Sequence, residues 1–358
     1  MGIIAPGAFP VPWQYVVIQH GIKTVLTRKA RPPRLRKLLT KESEAPGPPP
    51  PAGRFFFAQL DYLFDLDFQA MRALPHACCP GAVSGITGSM PFTVATWNVN
   101  SLRKRLPAVA RFTQETAVDV LCLQETKVTN ELFPAEALAD LGFPYQAIAG
   151  QKAYNGVAIL SRRPLSGAAI ETWCGRDDAR HLRATVETTA GPLEVHSLYV
   201  PAGGDEPDPA ANPKFAHKLD FLDALAPYLA ARAAAARAAV VCGDLNVAPL
   251  ATDVWSHARL KNVVTHTPGE RRRLTALRET GGWIDALRRF VPEDEKAFTW
   301  WSYRAADWRA ADRGRRLDHI WAHHSLAPAL SHAAIHDETR DWPEPSDHAP
   351  VRAVFEFG

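Results

Sequence analysis

The sequence predicts a layered α/β domain that begins near residue 92, and two observations predict it. From Phe92 onward, short runs rich in β-branched residues alternate with stretches whose apolar residues recur at helical spacing, which is typical of strands packed between helices. The 358 residues are 46% hydrophobic and 22% charged, a composition that allows a globular protein to bury a large core. We therefore expect one large α/β domain over residues 90–358.

The elements follow in order along the chain. The first predicted strand covers residues 92–97, and a helix with an apolar face follows it, with Ser101 placed to cap its N-terminus. A long helix is predicted from Lys214 to about Arg232. Further strands are predicted at residues 118–123, 157–160, 193–200, 239–242, 317–321 and 351–357.

Residues 1–89 differ from the rest of the chain. They hold a basic stretch at residues 23–41 and a proline run at residues 48–51, with 10 Lys and Arg against 5 Asp and Glu. The remainder holds 31 basic and 33 acidic residues, so net charge does not favour nucleic-acid binding by the main domain. We expect residues 1–89 to be an N-terminal extension that is disordered or dispensable, and a nucleic-acid-binding arm is the alternative.

Two other classes of protein are disfavoured. The sequence has no apolar run long enough to span a bilayer and no secretory signal pattern, so we expect a cytoplasmic protein with no membrane partner. Its five cysteines are scattered without the paired spacing of a zinc site or a disulfide framework. Cys122 and Cys242 lie within predicted strands, where we expect buried thiols.

The informative residues are polar groups at the ends of predicted strands, where side chains can reach a shared pocket. One such residue alone is usually a helix cap or a turn residue. Their recurrence at strand after strand predicts that they meet in one site. The set is Asn98, Asn100, Glu125, Tyr199, Asp244, Asn246, Asp318 and the pair Asp347-His348.

Carboxylate and amide oxygens are the ligands of a hard cation, which indicates Mg²⁺, with Mn²⁺ as a substitute, rather than zinc. Such a set can hydrolyse a phosphodiester. We expect Glu125 to hold the metal, Asp244 to take a proton from water, and Asn246 to orient that water. His348 can donate to the phosphate if a carboxylate keeps its ring protonated, and Asp318 is the candidate for that carboxylate.

The motifs closely resemble the exodeoxyribonuclease III and AP endonuclease family, from about Phe92 to the C-terminus. The similar segments are residues 96–103 (TWNVNSLR), 123–127 (LQETK), 199–201 (YVP), 243–249 (GDLNVAP), 298–303 (FTWWSY), 316–320 (RLDHI) and 345–350 (PSDHAP). The wider metal-dependent endonuclease/exonuclease/phosphatase superfamily shares several of them. Residues 124–127, 199–201 and 298–303 are similar to its DNA-repair branch in particular.

The resemblance implies a four-layer α/β sandwich, in which two packed mixed β-sheets are flanked by helices and the site lies at one rim. It implies a monomeric DNA repair nuclease that acts on duplex DNA as a 3′→5′ exodeoxyribonuclease and as an endonuclease 5′ to abasic sites. It implies that Tyr199 contacts the phosphate and that the metal lies among Asn98, Glu125, Asp244, Asn246, Asp347 and His348. Substrate contacts are implied for Asn100, Arg103, Trp300, Trp301, Arg313, Arg315 and Leu317.

Two implied DNA contacts have structural alternatives. Trp300, Trp301 and Leu317 resemble a pocket for an extruded baseless sugar, whereas simple core packing is the alternative. The stretch from Arg304 to Arg316 alternates basic and aromatic residues and suits phosphate contact, whereas a solvated loop is the alternative.

One departure from the family pattern affects the expected activity. Many relatives carry a polar amide after the Tyr-Val-Pro segment, whereas this chain has Ala202-Gly203-Gly204. Backbone amides would have to replace that side chain, which leaves the balance of incision and exonuclease action open. A phosphatase or phospholipase of the same superfamily and a non-catalytic DNA-binding protein are the competing hypotheses.

Overall fold

The structure is a computed structural model that describes residues 91–357 in full and the backbone of residues 14–19 and 22–27. Its strands are β1 (Gln14–Gln19), β2 (Ile22–Thr27), β3 (Phe92–Asn98), β4 (Val120–Gln124), β5 (Tyr145–Ala149), β6 (Val157–Ser161), β7 (Leu165–Ile170), β8 (His181–Thr188), β9 (Gly191–Tyr199), β10 (Ala239–Asp244), β11 (Ile284–Asp285), β12 (Trp300–Trp301), β13 (Gly314–Arg315), β14 (Asp318–Ala322), β15 (Leu330–Ile335) and β16 (Val351–Phe355). Its helices are α1 (Leu102–Thr116), α2 (Ala135–Asp140), α3 (Pro213–Ala235), α4 (His257–Leu260), α5 (Pro268–Thr280) and α6 (Trp308–Ala311). Among the residues searched, no helix has both the length and the apolar character that crossing a bilayer requires.

The strands form two large sheets. The first sheet has the order β15-β16-β3-β4-β6-β5-β1-β2, and the second has the order β11-β14-β10-β9-β8-β7. Both are mixed, because β3 runs parallel to β4 and β9 runs parallel to β10 while most other neighbours are antiparallel. A separate two-stranded ribbon joins β12 to β13.

Three apolar cores separate four layers. Residues such as Val94 and Cys122 of the first sheet pack against residues such as Val195 and Cys242 of the second sheet. The outer face of the first sheet packs on α1 and α2, and the outer face of the second sheet packs on α3 and α5. This arrangement confirms the predicted sandwich of two mixed sheets flanked by helices. It also confirms that Cys122 and Cys242 are buried thiols.

The predicted strands coincide with observed strands to within two residues at each end. The long helix begins at Pro213, one residue earlier than predicted, and Asn212 caps it by accepting a hydrogen bond from the Lys214 backbone amide. Nine of the sixteen strands in the described residues were not predicted, namely β1, β2, β5, β7, β8, β11, β12, β13 and β15.

Ser101 occupies the N-cap position of α1, as predicted, but it does not cap the helix through its side chain. That side chain makes no capping hydrogen bond, and the φ of Ser101 is 87°. The backbone amides of Ser101 and Leu102 instead donate to the carbonyls of Glu125 and Thr126. The start of α1 is therefore tied to the segment after β4, which brings two parts of the candidate site together.

The described part of the N-terminal extension is a hairpin. Strand β1 pairs in parallel with β5 and antiparallel with β2, so both strands extend the first sheet. The rest of residues 1–89 lies outside the described residues. The dispensability of this extension stays a prediction.

Candidate active site

Five strand ends meet at one rim of the sandwich. The register places Asp244 of β10 between Tyr199 of β9 and Asp318 of β14. In the first sheet, Asn98 at the end of β3 lies beside the last residue of β4, immediately before Glu125. Because parallel strands end at the same edge of a sheet, these side chains face a common space between the two sheets.

The backbone around this rim adopts unusual conformations. Asn100, Glu125 and Asn246 have φ values of 44°, 51° and 52°, in the left-handed region that non-glycine residues rarely occupy. Gly243, directly before Asp244, has a φ of 147°, and a Cβ there would lie 1.9 Å from the Leu198 carbonyl oxygen. Such backbone strain is concentrated where a fold holds functional side chains in fixed positions.

Two carboxylates are linked by one amide. The Asn98 Nδ2 group donates to Glu125 Oε1 at 2.8 Å and to Asp244 Oδ2 at 2.9 Å. Tyr199 Oη also donates to Glu125 Oε1, at 2.9 Å, and Lys127 Nζ lies 2.7 Å from Glu125 Oε2. Burial would raise the pKa of Glu125, but the hydrogen bonds from Asn98 and Lys127 hold it below its usual value.

A buried imidazole lies between two other carboxylates. His348 Nδ1 is 2.8 Å from Asp318 Oδ2, and His348 Nε2 is 3.7 Å from Asp244 Oδ2. Burial alone would lower the pKa of His348, yet Asp318 and Asp244 raise it to about 10. The contact between His348 and Asp318 is the one that the sequence predicted.

Asp244 is almost fully buried. Burial raises its pKa to about 7 against the opposing effect of His348, and the Asp318 charge adds to the increase. Its Oδ1 atom accepts a hydrogen bond from the Asn246 backbone amide at 2.9 Å. The Asn246 side-chain amide donates to the Val200 carbonyl, also at 2.9 Å, which fixes Asn246 beside the carboxylate.

Glu125, Asp244 and His348 form a possible metal site, because one ligand atom from each lies within 4.8 Å of the others. Asn98 presents its amide nitrogen to the two carboxylates, and its Oδ1 atom accepts from the Asn100 backbone amide. The structure thus brings six predicted side chains into one space: Asn98, Glu125, Tyr199, Asp244, Asp318 and His348.

Asp347 lies at the side of this space. Its Oδ1 atom accepts from Asn100 Nδ2 at 2.9 Å, and its Oδ2 atom accepts from Trp300 Nε1 at 3.0 Å. Burial opposes its charge, but His348 and these two donors keep its pKa below the usual value. Asp347 therefore links the carboxylate cluster, which consists of Glu125, Asp244 and Asp318, to a wall that is rich in tryptophan.

The predicted substrate-contact residues occupy different environments. Trp300, Trp301, Arg313 and Arg315 line one basin next to the site. Leu317 does not line that basin, because it is buried in a small apolar cluster below Trp300. Arg103 is exposed on α1.

The prediction that Arg316 contacts phosphate is not supported. Its guanidinium is buried and pairs with Asp253 and Asp285 at 2.7 Å each. A guanidinium that is sequestered by two carboxylates inside the fold cannot reach a DNA backbone. Alternation of basic and aromatic residues could not distinguish this inward-facing arginine from its exposed neighbours.

Sequence reasoning missed three residues at the site. Lys127 contacts Glu125 and also donates to Asn100 Oδ1 at 2.6 Å, although it lies in a segment that was recognised as a motif. Thr299 donates to Asp318 Oδ2 at 2.7 Å. Trp255 lines the basin from a loop in which no neighbouring residue signalled a role.

Comparison with known proteins gives two kinds of match. A family model described as the Endonuclease/Exonuclease/phosphatase family matches residues 95–348. Exodeoxyribonuclease III of Haemophilus influenzae is 30% identical over 268 residues, which is 73% of this chain and 98% of that protein. An exodeoxyribonuclease of Bacillus subtilis is 28% identical over 271 residues, again 73% of this chain and 98% of that protein.

Solved structures agree with these matches. The 3′ phosphatase NExo from Neisseria, bound to a product DNA hairpin, has a TM-score of 0.68 and 32% identity, over 74% of this chain and all of that chain. An AP endonuclease from Archaeoglobus fulgidus has a TM-score of 0.67 and 33% identity, with the same coverage. The chain therefore belongs to the endonuclease/exonuclease/phosphatase family, among the exodeoxyribonuclease III and AP endonuclease members.

Proposed function

We propose that this protein is a DNA repair nuclease that hydrolyses phosphodiester bonds of duplex DNA, 5′ to abasic sites and at 3′ ends. The observation that carries the proposal is the convergence of Glu125, Asp244 and His348, with ligand atoms within 4.8 Å of one another. These residues come from three separate segments of a chain whose relatives are nucleases. A single hard cation and a single phosphate can be held where these segments meet.

The donor set fits a divalent metal, on which the activity of this family depends, and we propose Mg²⁺ with Mn²⁺ as a substitute. Glu125 and Asp244 would hold it through carboxylate oxygens, which hard cations prefer. Asn98, Asn246, Asp347 and His348 stay predicted contributors to the surroundings of the ion. When bound, the metal neutralises charge on the phosphoryl oxygens.

The side chains supply the proton transfers. Asp244, whose pKa is raised to about 7 by burial, is suited to accept a proton from water near neutral pH. Asn246, fixed beside it, orients that water. His348 already uses Nδ1 on Asp318, so its protonated Nε2 is the group that donates to a phosphate oxygen. Tyr199 becomes the second donor when its hydroxyl turns from Glu125 Oε1 to the phosphate.

The basin beside the site supports DNA as the substrate. Trp300 and Trp301 form aromatic walls of this basin, and Arg313 and Arg315 give its lining positive charge. A missing base lowers the free-energy cost of turning a nucleotide out of the helix, so an abasic nucleotide can contact this wall at a small cost. The curated relatives are exodeoxyribonucleases, and the phosphatase among the matching structures is bound to DNA, so the relatives do not favour a phospholipase or an inositol phosphatase. A protein that only binds DNA would not need the site to be intact.

Incision of a defined duplex tests the proposal. The purified protein with Mg²⁺ is expected to cut a duplex bearing one abasic analogue on its 5′ side, and to shorten 3′ ends of an undamaged duplex. A phospholipid and an inositol phosphate serve as control substrates. An intact abasic strand, together with turnover of either control substrate, would overturn the proposal. We also propose that the protein acts as a monomer in the cytoplasm.

A further inference from the structure

A buried ammonium group lies beneath the rim, between two loops that follow site residues. Lys218 of α3 is fully buried, and its Nζ donates to the Asn246 carbonyl at 2.7 Å and to the Ala202 carbonyl at 3.3 Å. The same Nζ lies 2.5 Å from Glu270 Oε1. A lysine ammonium has three N–H donors, so these three acceptors can satisfy all of them.

The carboxylate that pairs with this ammonium is itself fixed. Glu270 lies in the first turn of α5, and its side chain has no exposed area. Its Oε2 atom accepts from the Thr267 backbone amide at 3.0 Å and from the Thr267 hydroxyl at 2.7 Å, and its Oε1 atom accepts from the Thr265 backbone amide at 2.9 Å. Lys218 is therefore anchored on one side, so it can fix what it contacts on the other side.

The first contact on that other side is a residue in an unusual conformation. Asn246 has a φ of 52°, and its backbone amide and side-chain amide bind Asp244 and the Val200 carbonyl. The residue is buried, so its carbonyl needs a donor inside the fold, and Lys218 supplies one. A left-handed conformation of a non-glycine residue persists only where surrounding contacts determine it. Loss of the lysine contact is therefore expected to loosen the loop of residues 244–249.

The second contact is the loop after β9. Ala202 follows the segment that begins with Tyr199, and the next residue packs on the lysine stem, since a Cβ at Gly203 would lie 2.9 Å from Lys218 Cδ. Lys218 thus ties the loop after Tyr199 and the loop after Asp244 to one point. These loops lie on the two sides of the proposed phosphate position.

We propose that Lys218 is a positioning residue for the nuclease reaction, which holds Asn246, and through it the attacking water, beside Asp244. This inference rests on the proposed function and adds to it a residue that contacts no substrate. A displacement of about 1 Å in a reacting group can cost about 10²-fold in rate. A buried ion pair contributes little net stability compared with apolar residues of similar volume, so the effect on rate is the one that identifies a positioning role.

Variants separate position from stability. Lys218→Met/Glu270→Gln removes both charges at similar volume and leaves no buried charge unpaired, and the Gln oxygen can still accept from the backbone amides. Arg232→Met, which removes another cation of α3 from its partner Glu194, is the matched control. Lys218→Arg keeps the charge but changes the donors to the two carbonyls, and it takes the place of the double variant if that variant does not fold. Circular dichroism establishes that each protein is folded at the assay temperature.

Two readouts are taken on each folded variant. Incision of an abasic duplex with Mg²⁺ gives kcat and KM, and mass spectrometry without metal gives the hydrogen exchange of residues 244–249. The double variant is expected to lose about 10- to 100-fold in kcat with KM within about threefold of wild type, and to exchange these amides about tenfold faster. Arg232→Met is expected to leave both readouts within about threefold of wild type. A folded double variant whose kcat stays within threefold of wild type, or whose exchange at residues 244–249 is unchanged, would overturn the inference.

The outcome is separable from the proposed function. A wild-type protein that cuts the abasic duplex, with a double variant that cuts it equally fast, refutes the inference and leaves the nuclease function in place. A wild-type protein that cuts no duplex refutes the nuclease function, and hydrogen exchange alone then decides whether Lys218 fixes the loop of residues 244–249.

Discussion

Asp318→Asn tests whether the charge of Asp318 keeps His348 protonated. The substitution is nearly isosteric, and an Asn oxygen can still accept from His348 Nδ1 across the present 2.8 Å. The hydrogen bond from Thr299 Oγ1, at 2.7 Å, can also be kept by that oxygen. The variant therefore removes a negative charge with little change of shape.

The structure gives the size of the expected effect. The pKa of His348 is raised from 6.5 to about 10 although burial opposes the charged ring, and Asp318 and Asp244 are the main causes of the increase. Such an increase corresponds to on the order of 5 kcal/mol in favour of the imidazolium. Because Asp318 is the largest of the causes that raise it, its loss is expected to lower the pKa of His348 toward the ordinary value of 6.5.

The assay is incision of an abasic duplex between pH 6 and pH 9. Because His348 must carry a proton to donate to the phosphate, the wild-type rate is expected to show no loss from this group until the pH approaches about 10. The variant is expected to keep most of the wild-type kcat at pH 6 and to lose it as the pH rises to 9, by about tenfold per pH unit once the ring is mostly neutral. A variant with wild-type kcat and an unchanged pH profile would refute the reasoning.

Three other predictions follow from the fold. Arg316→Met is expected to destabilise the protein by about 3–5 kcal/mol in urea unfolding, because it leaves the buried carboxylate of Asp253 without this partner; exposed Arg272→Met is the control, and equal midpoints would contradict the prediction. Burial lowers the pKa values of His181 and His196 below 6.5 in the folded protein. As the pH falls, the unfolded chain therefore binds protons before the folded protein does, and the contribution to stability that is complete above about pH 6.5 is lost. A melting temperature that stays constant from pH 7.5 to pH 5 would contradict this. Deletion of residues 1–89 is expected to leave incision within about twofold, since every candidate site residue lies in the later part of the chain, and a loss on the scale of a removed general base would refute it.

The site was predictable where polar residues directly follow buried strands. Asp244 and Glu125 stand at such positions, and strand geometry requires residues at neighbouring strand ends to share one rim. The pairing of His348 with Asp318 was predictable from chemistry, because a buried imidazolium needs a carboxylate. The hydrogen bonds of Asn98 were not predictable. The sequence predicted Asn98 near the metal, whereas in the structure its side-chain nitrogen donates to both Glu125 and Asp244.

Other features depend on tertiary packing that a sequence does not express. Strands such as β8 are interrupted by polar residues that pair inside the fold, as His181 does with His196 at 2.9 Å, and therefore lack a continuous apolar pattern. Arg316 faces inward, whereas Arg313 three residues earlier is exposed. The backbone amide of Trp255 donates to the Gly314 carbonyl, a long-range contact that holds this residue beside the basin.

The measurement that tests the central claim most directly is incision and binding of an abasic duplex by Asp244→Asn in the presence of Mg²⁺. Asp244 is the only carboxylate that contacts Asn98 and Asn246 and also faces His348 among the residues described. The account predicts a variant that binds the duplex with about the wild-type Kd and cuts it at least 10²-fold more slowly. A variant that cuts the duplex at the wild-type rate would contradict the account.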